Sequence, residues 1–334
     1  MFKVRFLSTL FVASCLFYWV VVVEVSSELL SPAHSQSDSI NVDIDASCPE
    51  SSSSVELNFL FLLYTVRDKF QIPQRSLLNF FKMLKLCLES IRRSQNNAKV
   101  HIGIPEHQVK DWSTALDGQR VRVITIQVLP PAHESWVYKH TFYQKIVLQT
   151  ALKGVENVIL AEPDQLYWAD MSPVFGYAFD VGVTFTKRRV SRRAGCLNSG
   201  IIFIKKVSDP IIKLWHRYAE ETREICKNYG CRIGGENQRA LCDILGGPGR
   251  KNENRTTIDG IRVRGFDKNS YNMLTPTSCS RTTHGVYMTH FKGALKTFMF
   301  KDKCRTQYIQ SSVVLTKHSE TSKGSERCPE ALLN

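Results

Sequence analysis

Two carboxylates, Glu162 and Asp164, close an apolar run in the stretch Asn157 to Trp168, NVILAEPDQLYW, with Pro163 between them. In an extended strand alternate side chains share a face, so both acids leave the strand's carboxyl end in the same direction. Pro163 has no backbone donor and pushes Glu162 toward extended geometry, which ends the strand there and opens a loop. Carboxylates held this close repel each other unless a cation or a hydrogen-bond donor lies between them. Hard ions such as Mn²⁺ or Mg²⁺ take oxygen ligands, and open α/β sheets bind ligands at the carboxyl ends of their strands. The plainer alternative is an ordinary acidic turn.

The elements that must position these acids alternate in type. Leu57 to Thr65, LNFLFLLYT, is a continuous apolar run of strand length, as in the buried strand of a parallel sheet. Ser76 is a candidate cap for a helix in which Leu77, Phe80, Phe81, Leu84, Leu88 and Ile91 recur at three- and four-residue steps. Strands are expected at Val100 to Ile104 and Val121 to Val128. A helix follows from Trp136 to Lys153, stopped by Gly154, and leads into a buried strand around Val158, Ile159 and Leu160. Later come a strand at Val181 to Thr186, Asn198-Ser199-Gly200 leading into IIFIKK, a helix opened by Asp209-Pro210, a short helix in GGENQRALCDIL and one strand at Thr256 to Gly265. Such alternation predicts an α/β fold with a mostly parallel central sheet.

The compartment follows from the ends of the chain and its cysteines. Phe6 to Val23 is 18 residues without a charge, behind Lys3 and Arg5. At about 1.5 Å per residue this just spans a thin bilayer, and the basic flank keeps the N-terminus cytoplasmic. The organisation expected is a tip and signal anchor over residues 1–30, a Ser/Asp/Pro-rich stem over 31–55, a catalytic domain over 56–300 and a polar tail over 301–334. Cleavage near Val25 or Ser27 would instead give a secreted product. Of ten cysteines only Cys15 lies in the apolar run, so the other nine face an oxidising lumen that favours disulfides. Asn254-Arg255-Thr256 is a glycosylation sequon suited to a lumenal surface loop. The net charge of +13, with a run of bases at Lys187, Arg188, Arg189, Arg192 and Arg193, points to a polyanionic partner. A lumenal protein meets phosphorylated sugar donors and acidic glycans, not nucleic acid.

Four spaced pieces together resemble the nucleotide-sugar glycosyltransferases of the GT-A fold, most closely the glycogenin and galactosyltransferase type of family 8. They are Tyr143-Gln144-Lys145 in a helix ahead of an apolar strand, Glu162-Pro163-Asp164, Asn198-Ser199-Gly200 before IIFI, and His290-x-x-Gly293-x-x-Lys296. The resemblance covers roughly residues 56–300. It implies a Mn²⁺ or Mg²⁺ ion held by Glu162, Asp164 and His290, and a donor, expected to be a UDP-sugar, bound by Thr65, Lys145, Gly293 and Lys296. It also places Asn198, and Glu236 or Gln238, against the donor or acceptor sugar. The acceptor would be a glycan or glycoprotein, and the setting the Golgi or endoplasmic-reticulum membrane in single-pass type II topology.

The chemistry of each piece suits that role. A bound cation acts as a Lewis acid for the leaving diphosphate, Lys296 adds a preplaced charge and Gly293 lets backbone approach the phosphates. Glu162 departs from the family's first Asp by one methylene and is like the Glu-Pro-Asp of plant hydroxyproline O-arabinosyltransferases. Gly235-Glu236-Asn237-Gln238 stands where the family often has Asp-Gln, and Thr297-Phe298 replaces its Pro-Trp. Two rival readings remain: a catalytically silent, lectin-like binder on the same fold, and a metal-dependent nucleic-acid enzyme suggested by the charge alone.

Overall fold

A computed structural model of the chain describes residues 55–64, 74–185, 196–231, 235–247, 253–257, 259–274, 286–291 and 299. The expected anchor and tail, the expected stem up to residue 54, the basic run at 187–193, Thr65, Gly293 and Lys296 lie outside them. No helix among the described residues is long and apolar enough to cross a membrane.

The elements run β1 (Leu57–Leu62), α1 (Gln74–Ser94), β2 (Ala98–Pro105), α2 (Val109–Leu116), β3 (Arg122–Ile126), α3 (Trp136–Thr150), β4 (Glu156–Ala161), β5 (Gln165–Tyr167), β6 (Val181–Phe185), β7 (Leu197–Lys206), α4 (Asp209–Tyr229), α5 (Glu236–Ile244), β8 (Asn254–Thr256), β9 (Arg262–Phe266), α6 (Lys268–Tyr271), β10 (Met273–Leu274) and β11 (Met288–His290). Eight strands form one sheet in the order β3-β2-β1-β4-β7-β6-β9-β8. Pairings β1/β2, β1/β4, β2/β3 and β6/β9 are parallel, whereas β7 and β8 run against their neighbours. The fold is therefore α/β around a mostly parallel central sheet.

Both faces of this sheet are covered, which explains why its strands read as unbroken apolar runs. In β1, β4 and β7 one alternate set (Leu60, Leu62, Val158, Leu160, Ile202, Ile204) packs with residues of α3, α4 and α5. The other set (Phe59, Phe61, Ile159, Ala161, Ile201, Phe203) packs with residues of α1 and α2. Fully burying one such side chain contributes about 1.5–3 kcal/mol, so the two layers hold these strands in register.

Local signals set the element ends. Ser135 caps α3 by accepting a hydrogen bond from the Tyr138 amide at 3.1 Å, an arrangement worth about 1 kcal/mol. Gly154, at φ 81°, turns the chain into β4, and β4 ends at Ala161, directly before Glu162 and Pro163. Three expectations need correction. Helix α1 starts at Gln74, so Ser76 lies inside it and is not its cap. Asn198-Ser199-Gly200 lies within β7, not ahead of it, where the pairing with β6 shifts: Val183 faces Ile202 but Thr184 faces Asn198, so the extra residues are in β7. Thr256 to Gly265 is not one strand but the two arms of an antiparallel pair, β8 and β9, because Asp259-Gly260 forms a turn with Gly260 at φ 77°.

A second sheet, β10-β11-β5, is small but sits at the carboxyl end of β4. Its middle strand pairs antiparallel with β5, His290 opposite Gln165, and the Phe291 amide donates to the Asp164 carbonyl at 2.8 Å. The described cysteines include two disulfides: Cys196–Cys242 links the start of β7 to α5, and Cys226–Cys231 closes the end of α4. Cys87 is a buried thiol.

Candidate metal centre

The loop that follows β4 is stapled by Gln165. Its side-chain amide donates to the Gly200 carbonyl at 2.5 Å, and its oxygen accepts from the Tyr167 hydroxyl at 2.7 Å. With β11 paired behind this loop, His290 arrives beside two acids from far away in sequence. The His290 Nε2 lies 3.1 Å from Glu162 Oε2 and 3.3 Å from Asp164 Oδ1. Ligand atoms of the three residues all fall within 4.8 Å of one another. Glu162 keeps 34% of its side chain exposed, against 6% for Asp164 and 0% for His290, so the cluster opens to one side.

What holds the imidazole is a network that the sequence did not reveal. Asn272, fully buried, places its Oδ1 2.9 Å from His290 Nδ1 and donates from Nδ2 to Thr184 Oγ1 at 2.8 Å and to the Asn198 carbonyl at 3.4 Å. A carbonyl only accepts, so the amide nitrogen must face Asn198 and the oxygen must face the ring. His290 Nδ1 therefore carries the proton, and in the neutral ring the Nε2 lone pair faces the two carboxylates. Burial works to keep this ring neutral, but hydrogen bonds to Asp164 and Glu162 outweigh it and raise the His290 pKa above the ordinary histidine value. Three negative or lone-pair atoms converging in this way require a proton or a cation between them. Two carboxylate oxygens and one imidazole nitrogen, the ring fixed through its other nitrogen, fit a divalent ion of the Mn²⁺ type.

Gly200 makes room for the ring. A Cβ there would stand 2.6 Å from His290 Nδ1 and 3.2 Å from Asn198 Oδ1, too close for any side chain. Asn198 itself is turned back on the strand, its Oδ1 accepting from the Gly200 amide at 3.0 Å.

The other expected residues fall in different places. Glu236 is fully buried at the first turn of α5, where helix amides favour a negative charge, and neither of its oxygens has a hydrogen-bond partner among the described residues. Its neighbour Asn237 donates to Ser199 Oγ at 3.3 Å, tying α5 to β7 beside the cluster. Gln238 is half-buried, and its backbone N–H donates to Asn237 Oδ1. Lys145 faces α4: its Nζ lies 3.4 Å from His216 Nδ1 and 4.7 Å over the Phe142 ring, and burial lowers its pKa. Three tyrosines not foreseen lie within electrostatic reach of Glu162. Its charge acts on Tyr64, Tyr167 and Tyr218, whose pKa values burial raises far above the usual tyrosine value.

No known protein family and no curated protein matches the sequence. Among solved structures, the chain is similar to the glycosyltransferase GlyE of Streptococcus pneumoniae TIGR4, at 8% identity over 79% of this chain and a TM-score of 0.44. It spans only 64% of that chain. Mouse xyloside xylosyltransferase 1 shares 11% identity over 70% of this chain and 96% of its own, with a TM-score of 0.41. The galactosyltransferase LgtC shares 10% over 81% and 98%, with a TM-score of 0.42. Likenesses of this size carry no argument about function.

Proposed function

We propose that the protein is a divalent-metal-dependent glycosyltransferase of GT-A type, moving a sugar from a nucleotide-sugar donor, a UDP-sugar in the first instance, to a glycan or glycoprotein. The observation that carries this reading is the convergence of Glu162, Asp164 and the tautomer-fixed His290 at the carboxyl end of β4. Glu162, Asp164 and His290 would hold the ion, which when bound supplies Lewis-acid stabilisation to the leaving diphosphate. The chain's own residues do the rest. Asn272 keeps the His290 proton on Nδ1, Gly200 keeps the ring seated, and Gln165 ties the loop to β7. Glu236 offers a buried carboxylate to a sugar hydroxyl. Lys296 and Gly293 are assigned to the diphosphate on their motif alone, and Thr65 to the donor on the family resemblance alone.

A lumenal setting in the Golgi or endoplasmic reticulum, by a type II anchor at Phe6 to Val23, belongs to the same proposal. Both disulfides of the described region fit an oxidising compartment. The test is a panel of nucleotide sugars incubated with the full-length chain, with and without chelator, while release of the nucleoside diphosphate is followed. Metal-dependent release from one donor is expected. Tight metal-dependent UDP binding with no release from any donor would instead make the chain a silent binder.

A further inference from the structure

Beside the metal cluster stands a second histidine whose proton is also assigned by its neighbours. His140 lies on α3, its ring 6.0 Å from that of Tyr64, just past β1. Tyr64 packs on Tyr143 at 5.3 Å and donates its hydroxyl to the Trp136 carbonyl at 3.1 Å, fastening the start of α3 to the end of β1. Since β1 pairs with β4 in parallel, Leu60 opposite Leu160, this corner adjoins Glu162. Burial keeps His140 neutral against the pull of the Glu162 charge.

The tautomer follows from a chain of three buried or half-buried groups. Trp215 has only an N–H to offer, and it donates to Gln144 Oε1 at 3.3 Å. That orientation turns Gln144 Nε2 toward His140 Nε2, 3.1 Å away. An amide nitrogen donates, so His140 Nε2 accepts and the ring proton sits on Nδ1. The ring is half-buried, and Nδ1 makes no hydrogen bond among the described residues.

We propose that His140 is a specificity-determining donor: its Nδ1–H hydrogen-bonds an oxygen of the nucleoside diphosphate held at Glu162, Asp164 and His290, with Gln144 and Trp215 as positioning residues that keep the proton there. This inference rests on the proposed function. A neutral, fixed donor selects a ligand atom that can only accept, and it adds no charge to a site that already combines two acids and a cation.

The experiment is calorimetric titration of the full-length chain with UDP and Mn²⁺, with folding checked by circular dichroism. His140→Phe keeps a ring against Tyr64 and should weaken UDP binding roughly two- to tenfold, the worth of one neutral hydrogen bond. His140→Asn, whose amide nitrogen stands near the place of Nδ1, should recover most of it. Gln144→Met should weaken binding in the wild-type background and do nothing further in His140→Phe, because it acts only through the imidazole. Nitrogen NMR of the free protein should find the His140 proton on Nδ1. Unchanged UDP affinity in folded His140→Phe, equal losses from Gln144→Met in both backgrounds, or a proton on Nε2 would each overturn the inference while leaving the proposed function standing. If the wild type binds no UDP in the presence of Mn²⁺, this inference falls together with the UDP-sugar form of the proposed function, whereas failure of every nucleotide sugar in the donor panel overturns that function itself.

Discussion

His290 and His101 are both buried, at 0% and 4% exposure, and they lie in different parts of the fold with opposite surroundings. The Nε2 of His290 faces two carboxylates. The Nε2 of His101, in β2, faces Asn58 Oδ1 at 3.0 Å, and Asn58 is itself turned by donating to the Glu156 carbonyl at 2.9 Å. Burial, helped by Arg122 and Lys99 and opposed by Glu56, lowers the His101 pKa below the ordinary value. For His290 the carboxylates win and the shift is upward. Burial alone therefore does not make a histidine functional. The partners of its two nitrogens decide, and only His290 has one nitrogen tied to an amide oxygen and the other aimed at acids.

The largest effect should come from breaking the His290 side. His290→Ala and Asp164→Asn each remove a ligand, and calorimetry should find Mn²⁺-dependent UDP binding abolished in both. His101→Gln, which keeps the bond to Asn58, should bind as the wild type does. Next is Gly200→Ala. Its Cβ displaces the His290 ring, so metal-dependent binding should fall about a hundredfold, as expected for a shift of about 1 Å, and urea unfolding should show a loss of about 1–3 kcal/mol. Asn272→Leu leaves the ligands in place but removes the acceptor for Nδ1. Metal affinity should then drop about 10- to 100-fold, measured by Mn²⁺ titration.

The smallest effect sharpens the His101 side. Its folded pKa lies below the unfolded value of 6.5, so the unfolded chain binds more protons in the window between them. This contribution to stability is fully present above 6.5 and is lost as pH falls through 6.5 toward the folded value. Urea unfolding at about pH 7.5 and about pH 5.5 should show less acid sensitivity in His101→Gln than in the wild type. Equal sensitivity in the two proteins would mean that burial does not lower the His101 pKa in the folded chain.

The strand that leads to the acids was legible in the sequence because strands buried on both faces leave apolar runs, and Pro163 marks where β4 must stop. The distant pairing of Asp164 with His290, 126 residues apart (290 minus 164), was visible only through motif order, not through periodicity. The small sheet that makes this pairing was not legible. Strands of two or three residues such as β10 and β11 are too short to show alternation. Asn272 and Gln144 gave no signal either, because an asparagine or glutamine becomes a tautomer lock only through partners on other elements. Gly200 was read within a motif, yet its reason is steric and appears only when the His290 ring is beside it. The break between β8 and β9 is readable in Asp259-Gly260, a dipeptide that favours a turn.

The central claim is that His290, and not His101, is a metal ligand. Electron paramagnetic resonance of Mn²⁺ bound to the full-length chain with UDP reads it directly, through the magnetic coupling of histidine nitrogen to the ion. The wild type and His101→Gln should both show one coupled histidine nitrogen, and a folded His290→Ala should show none. A nitrogen coupling that persists unchanged in His290→Ala, or that is absent from the wild type, would contradict the account.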